Sequence, residues 1–292
     1  KYCIKNKKIN FNYSYESVSE ADFIIITVGT PLVKKKPSLN EIYQVIFKIR
    51  KYLKDNQSII LRSTVFPGAM RRITKKIRNI NKNIGISYCP ERVAQGKSLE
   101  EIENLNQIIS TDKIIEEKKI KKLFKNICNE VSCCTFEDAE FIKLFSNAWR
   151  YVKFAISNEF YVMCSDNNLD YKKIHKIMKK DYPRNFGLPT QGFAAGPCLP
   201  KDAVQLYLSN KKRSKLIKTA HNINENLPNY FVNNLKKKVN IKGKNIGILG
   251  TTFKSNIDDE RDSLSIKLKT LLQKNGAHVY CNDPYVKNKK YL

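Results

Sequence analysis

Histidine is scarce in this sequence: there are three, at 175, 221 and 278, and none of the eight cysteines (3, 89, 128, 133, 134, 164, 198 and 281) belongs to a Cys-x-x-Cys pair. These spacings exclude the usual zinc-ligand patterns, and no structural metal is expected. Long apolar runs are missing too. Stretches such as Phe23 to Val28 are strand-length, far short of the roughly 20 residues a membrane helix needs, so no membrane segment is expected. The opening Lys1 to Tyr15 is polar and basic and has no apolar h-region of an export signal. Cysteines scattered through such a chain fit a reducing compartment, where most are small buried apolar residues, and a cytoplasmic location is expected. Glycine is absent before Gly29, so the first 28 residues hold no glycine-rich phosphate turn. Acidic residues are few, 27 against 54 Lys and Arg, which leaves a formal charge of +27. A field of that size attracts phosphates and polyanions. The lysines are nonetheless spread over nearly every segment, with no recognisable DNA- or RNA-binding motif among them, and a nucleic-acid partner is not expected.

The 292 residues, 41% of them hydrophobic, are enough for two domains with real cores. Residues 22 to 29 form an apolar run closed by Gly29-Thr30-Pro31, the pattern of a buried parallel strand. Ile42, Val45, Ile46, Ile49 and Leu53 then recur at helical spacing, and the strand pattern resumes at Ser58 to Leu61. A second cycle runs through a basic helix at about 69 to 79 to a strand at Ile84 to Tyr88. Such alternation predicts a doubly wound α/β sheet. Further strands are expected at Asn106 to Ser110 and Glu130 to Thr135. The pattern then changes to one long helix from about Ala139 to Ser165, a second helix at Tyr171 to Lys179, a loop rich in Gly and Pro from 183 to 200, and a helix at about Asp202 to Leu208. A last strand, helix, strand unit is expected at Asn245 to Leu249, Ser263 to Asn275 and His278 to Asn282.

Three places could carry chemistry. In the loop GFAAGPCLPKD at 192 to 202, Cys198 has glycines on one side and a Lys-Asp pair on the other, as reactive thiols often do; a buried cysteine in a turn is the plainer alternative. Lys143 and Asn147 stand one turn apart on the long helix, so a cation and an amide could face one substrate oxygen. Glu91 follows Cys89-Pro90 at a strand end, where open α/β sheets bind ligands.

Taken in order, seven segments resemble the UDP-glucose/GDP-mannose dehydrogenase family. They are VGTP at 28 to 31, STVFPG at 63 to 68, CPERVAQG at 89 to 96, Glu140, Lys143 and Asn147 with Asn158-Glu159, GFAAGPCLPKD, GILGTTFKSNIDDERDS at 247 to 263, and GAHVYCNDP at 276 to 284. The resemblance implies α/β architecture with two Rossmann-like doubly wound domains, both incomplete, joined by a central helical region built on the long helix. The expected parts are an NAD-binding domain at 1–135, a helical dimerisation and catalytic region at 136–225, and a UDP-sugar-binding domain at 226–292. It also implies an NAD-dependent oxidation of a nucleotide-sugar alcohol to the uronic acid.

The resemblance assigns roles residue by residue. Cys198 would be the nucleophile that captures the aldehyde as a thiohemiacetal and carries the thioester. Lys143 and Asn147 would stabilise charge on the substrate oxygen. Thr64 and Asp202 would order a water and move protons, and Glu91 would serve thioester hydrolysis. Val28, Gly29, Thr30, Pro31, Ser63, Thr64, Gln95 and Arg261 would lie against NAD. Glu91, Lys143, Asn147, Arg184, Gly192, Phe253 and Lys254 would contact the nucleotide-sugar, with Arg184 reaching a neighbouring subunit of a homodimer or larger homo-oligomer. Two departures stand out. Gln95 replaces a glutamate of the UDP-glucose branch, and Ala194 and Ala195 stand where paired glycines are usual. The Gly-x-Gly-x-x-Gly turn is also missing, which implies that roughly seventy residues of the family pattern lie before Lys1 and that the last domain stops early. The alternative reading is an inactive remnant that keeps only nucleotide-sugar binding or dimerisation.

Overall fold

The computed structural model describes residues 9–286; Cys3 lies outside them. The chain divides into two compact units, Lys1–Lys143 and Leu144–Leu292.

The first unit is an α/β layer structure. Its strands are β1 (Phe23–Ile26), the short hairpin β2 (Leu32–Val33) and β3 (Lys36–Pro37), β4 (Ser58–Leu61), β5 (Gly85–Tyr88), β6 (Gln107–Thr111) and β7 (Val131–Cys134). Between them lie helices α1 (Asn40–Ile49), α2 (Ala69–Arg78), α3 (Ser98–Asn104) and α4 (Ile114–Lys125). The main sheet has the order β1-β4-β5-β6-β7. Every residue of β4 and β5 is buried, which is why these segments read as continuous apolar runs: a central parallel strand is covered on both faces. Edge strand β1 is different, burying Ile24 and Ile26 while Ile25 is exposed. Helix α1 sends Ile42, Ile46 and Ile49 into the core, and α2 sends Ala69, Met70, Ile73 and Ile77, the spacing of one helical stripe in each case. Arg71, Arg72, Lys75 and Lys76 of α2 stay exposed.

The second unit is mainly helical. Helix α5 (Phe136–Asp166) begins in the first unit and continues in the second, followed by α6 (Tyr171–Lys179), α7 (Leu199–Ser209) and α8 (Lys215–Lys238). Small clusters join α5 to α7 and α8, such as Leu144, Ala148 and Leu206, and Val152, Ala155 and Ala220. The unit ends with strand β8 (Asn245–Leu249), helix α9 (Leu264–Lys274) and strand β9 (His278–Asn282), in which β8 and β9 pair in parallel. Val232 of α8, Leu272 of α9 and Ile248 of β8 form their common core with Ile241, Ala277 and Cys281.

Four features differ from the sequence reading. Strand β6 pairs antiparallel with β5, because the short α3 between them does not form a full crossover, so the sheet is mixed. The second difference is in elements that the sequence does not lead one to expect: the β2–β3 hairpin, the short α3, and helices α4 and α8. The last two are rich in Lys or Asn, and α8 carries Pro228 inside it, so their periodicity is weak. The third feature is the start of α7, at Leu199 rather than near Asp202, and the fourth is the start of α5 at Phe136. Among the described residues no helix is long and apolar enough to cross a membrane. No group of three or more His, Cys, Asp or Glu side chains among them could hold a metal ion.

Candidate active site

In the first unit the carboxyl ends of β1 and β4 are stitched together by two hydroxyls. Ser63 Oγ donates to Val28 O and Thr30 Oγ1 donates to Thr64 O, each at 2.6 Å. This brings Val28, Gly29, Thr30, Pro31, Ser63 and Thr64 to one sheet edge, the position at which open α/β sheets take ligands. A Cβ at Gly29 would meet nothing within 4 Å, so space is open beside that backbone. These loops fit the edge of a dinucleotide. The nearby N-terminus of α2, which would otherwise suit a phosphate, is already filled: the Glu140 carboxylate accepts the Gly68 N–H at 2.5 Å and the Met70 N–H at 2.6 Å.

Glu91 belongs to the same unit. Its Oε1 accepts the N–H groups of Arg92 (2.8 Å) and Val93 (2.9 Å), and its Oε2 is paired with the Arg62 guanidinium. Burial pushes this carboxyl up, but Arg62 and the two N–H groups outweigh it and hold it below the ordinary glutamate range. Gln95 lies exposed further along this loop. Lys143, the last residue of the unit, is buried.

In the second unit Pro200 is in the first turn of α7, where a missing N–H costs no helical bond. Cys198 is therefore the residue that caps this helix, and its carbonyl accepts the Asp202 N–H at 2.9 Å. The thiol is exposed at a helix N-terminus, where unpaired N–H groups favour negative charge nearby. Among the described cysteines only Cys133 is exposed as well. Others are suppressed as nucleophiles: burial pushes the Cys89 thiol up to about 12 and that of Cys134 up to about 11.

Asp202 is fully buried in the first turn of α7. Its Oδ2 accepts from Asn147 Nδ2 at 2.6 Å, while its Oδ1 has no hydrogen bond and faces Lys201 Nζ at 3.6 Å. Asn147 and Asp202 thus form a buried amide–carboxylate pair on the helix that starts at Cys198.

The loop after β8 closes on the cysteine loop. Gly196 has φ +93°, and a Cβ there would overlap the Phe253 ring, so glycine is required on two counts. The Gly196 N–H donates to Asp262 O at 3.3 Å. Ala194 and Ala195 are buried and have no left-handed backbone, so alanine is tolerated there. Arg261 is held by both oxygens of Asp259, with Nη2 to Oδ2 at 2.6 Å, and lies within electrostatic reach of Cys198. Asp283, at the end of β9, accepts the Thr251 and Thr252 N–H groups and so fixes the start of the loop that presents Phe253 and Lys254. Lys254 is exposed.

The second unit therefore brings together Cys198, Asp202, Asn147, Phe253 and Arg261. Gly192 opens the cysteine loop. Arg184 stays apart from them in an exposed 3-10 turn, its guanidinium 5.4 Å from the Tyr182 ring centre. Arg62, Asp259 and Asp283 carry no role in the sequence reading. Asp259 and Asp283 fall inside the quoted segments, but only the folded chain shows what they hold.

Sequence models of the UDP-glucose/GDP-mannose dehydrogenase family match the chain in three pieces: the NAD binding domain over residues 1–128, the central domain over 137–226 and the UDP binding domain over 247–292. The chain is 31% identical over 301 residues to UDP-N-acetyl-D-mannosamine dehydrogenase of Methanococcus maripaludis, covering 100% of this chain and 68% of that protein. It is 30% identical to the Campylobacter jejuni enzyme of the same name, covering 92% of this chain and 70% of that one. Among solved structures, the UDP-N-acetyl-mannosamine dehydrogenase Cap5O of Staphylococcus aureus superposes with a TM-score of 0.84 at 26% identity, covering 99% of this chain and 71% of that chain. The Pyrococcus horikoshii protein superposes with a TM-score of 0.91 at 24% identity, over 98% of this chain and 71% of that one, and shares the fold. The chain thus spans about two thirds of the length of these relatives. By the three matched domains and the identity over its whole length, the chain belongs to the UDP-glucose/GDP-mannose dehydrogenase family, whose N-terminal domain binds NAD.

Proposed function

We propose that this protein oxidises the C6 alcohol of a nucleotide-sugar to the carboxylate in a four-electron reaction, with Cys198 as the covalent nucleophile. The observation that carries the reading is an exposed thiol at the N-terminus of α7, one turn before a buried Asp202 held by Asn147. NAD, when bound, supplies the hydride acceptor for both oxidations. Val28 to Pro31, Ser63, Thr64, Gln95 and Arg261 would hold it.

The chain's own groups supply the rest. The Cys198 sulfur adds to the aldehyde carbon, forming a C–S bond while the carbonyl oxygen gains negative charge. Lys143 and one hydrogen of the Asn147 amide stabilise that oxygen, and Asp202 keeps the amide oriented. After the second oxidation the carbon is a thioester. A water ordered by Thr64 and Asp202 attacks it with Glu91 as acceptor, and the C–S bond breaks to return the thiol and release the acid. Phe253, Lys254 and Gly192 would line the nucleotide-sugar site, and Arg184 would reach the site of a second copy. Cations suit a substrate bearing two phosphate charges.

Relatives named for UDP-N-acetyl-D-mannosamine favour an N-acetylated UDP-sugar as the substrate. In this reading residues 1–135 serve NAD, 136–225 the dimer and the cysteine, and 226–292 the UDP-sugar. The exposed stripe Phe145, Trp149, Ile156, Phe160 and Met163 along α5 supports a homodimer, since such a surface is rarely left open. A cytoplasmic setting suits the free thiols.

NADH production with UDP-N-acetyl-mannosamine, UDP-N-acetyl-glucosamine, UDP-glucose and GDP-mannose tests the reading. Two NADH per sugar, abolished in Cys198→Ala, is the expected result. Unchanged turnover in Cys198→Ala would remove the nucleophile. Sugar-nucleotide binding without any NADH would instead favour the inactive remnant.

A further inference from the structure

The loop that carries Cys198 is long and contains Gly and Pro, yet its entrance is held by the buried Ser157 and the half-buried Lys179. Ser157 Oγ donates to Pro189 O at 2.7 Å, and Lys179 Nζ donates to Leu188 O at 3.3 Å. The most complete attachment is at Gly192. There Asn158 uses both ends of its amide on one residue: Oδ1 accepts the Gly192 N–H at 2.9 Å and Nδ2 donates to Gly192 O at 3.0 Å. Asn158 Nδ2 also donates to Asn224 Oδ1 at 2.9 Å, and Asn224 Nδ2 donates to Tyr151 O at 3.0 Å. Asn158, Asn224 and Tyr151 are all fully buried. The relay therefore joins α5, α8 and the loop through neutral groups whose hydrogen bonds are matched donor to acceptor.

Asn158 lies eleven residues after Asn147 on the same helix, close to three whole turns, so both side chains leave α5 from one stripe about 16 Å apart. Asn147 holds Asp202, inside α7, which Cys198 caps. The nucleophile segment is thus fastened to one stripe of α5 at two points, before and after Cys198. We propose that Asn158, braced by Asn224, is a positioning residue that sets Cys198 relative to the Asn147–Asp202 pair. This rests on the dehydrogenase reading for its consequence in turnover, but the placement of the thiol can be measured without it.

The test attaches a trifluoroacetonyl group to the exposed thiols, with fluorine resonances assigned by Cys→Ser variants and the Cys133 label as internal reference. In Asn158→Ala the Cys198 resonance should broaden or split while that of Cys133 stays unchanged. Turnover of the intact enzyme should lose at least about tenfold in kcat, with KM for the nucleotide-sugar changed less than about threefold, the pattern of a group misplaced in the transition state rather than of weakened binding. An unchanged Cys198 resonance, a Cys133 resonance that moves with it, or an unchanged kcat would overturn the proposal. If Asn158→Ala fails to fold, Asn224→Ala removes only the brace and carries the same comparison with a smaller expected change. Absence of NADH from the wild-type chain would sink the dehydrogenase reading, and the fluorine comparison would still decide where Cys198 is held.

Discussion

The loop that bears Glu91 and the loop that bears Cys198 are both tied to neighbouring elements, but by different chemistry. The Glu91 loop is fastened by charge: Arg62 and two N–H groups converge on one carboxylate that remains partly exposed. The Cys198 loop is fastened at Gly192 by neutral amides, buried and mutually satisfied, and past Cys198 by the Asn147 amide on the Asp202 carboxylate. A charge-held loop changes with pH, whereas an amide-held loop keeps its geometry as long as the core around it stays packed. The two loops differ in what would disturb them, and each can be disturbed separately.

The largest effect is expected at the centre of the second loop. Asn147→Ala removes the partner of a buried carboxylate, which should cost about 1–3 kcal/mol of stability in urea unfolding and at least tenfold in kcat. A variant that kept both would break the link between the amide pair and the nucleophile. Lys143→Ala should lower turnover by about tenfold or more, worth about 1.4 kcal/mol of barrier. A smaller loss in kcat would leave Asn147 as the sole oxyanion donor proposed from α5. Next comes Gly196→Ala. A left-handed backbone and a collision with the Phe253 ring predict a loss of about 2–3 kcal/mol, seen as a lower urea midpoint. Normal stability in the Gly196→Ala variant would show that the two loops close less tightly than the geometry requires.

The smallest effect concerns pH. Because the folded chain holds the Glu91 carboxyl below its ordinary range, the stability it contributes is present above that range and is lost as pH falls through the lowered folded value. Glu140 has the opposite sign. Burial raises its carboxyl above the ordinary range despite the N–H groups of Met70 and Gly68, so its contribution is lost as pH rises through the raised value. In amide NMR spectra recorded across the acidic range, the Val93 resonance should titrate and the Gly192 resonance should not. Glu91→Gln should abolish the Val93 titration. If Gly192 moved with Val93, the contrast between the charge-held and amide-held loops would fail.

How much of this could be read beforehand depends on whether a signal is local. Strands β4, β8 and β9 and helix α6 fall at the predicted positions because strand-length apolar runs and an amphipathic period are properties of short segments. The family followed from seven such segments in order, and with it Cys198, Lys143, Asn147 and Asp202 were singled out. Helices α4 and α8 escaped, since in sequences rich in Lys and Asn helical structure comes from packing more than from pattern. The antiparallel β6 escaped as well, because strand direction depends on how the chain returns rather than on the strand's own residues.

The sequence by itself determined the α/β class, the long helix and the residue types available for chemistry, because each is encoded in local periodicity or in a short motif. Only the tertiary structure decided that Cys198 caps α7, that Asn147 meets Asp202, that Asn158 grips Gly192 and that Phe253 covers Gly196. Asn158 and Gly192 are 34 positions apart and Asn147 and Asp202 are 55 apart, while the cap hinges on where a helix begins. Nothing in a short window specifies which distant group will satisfy a buried polar atom.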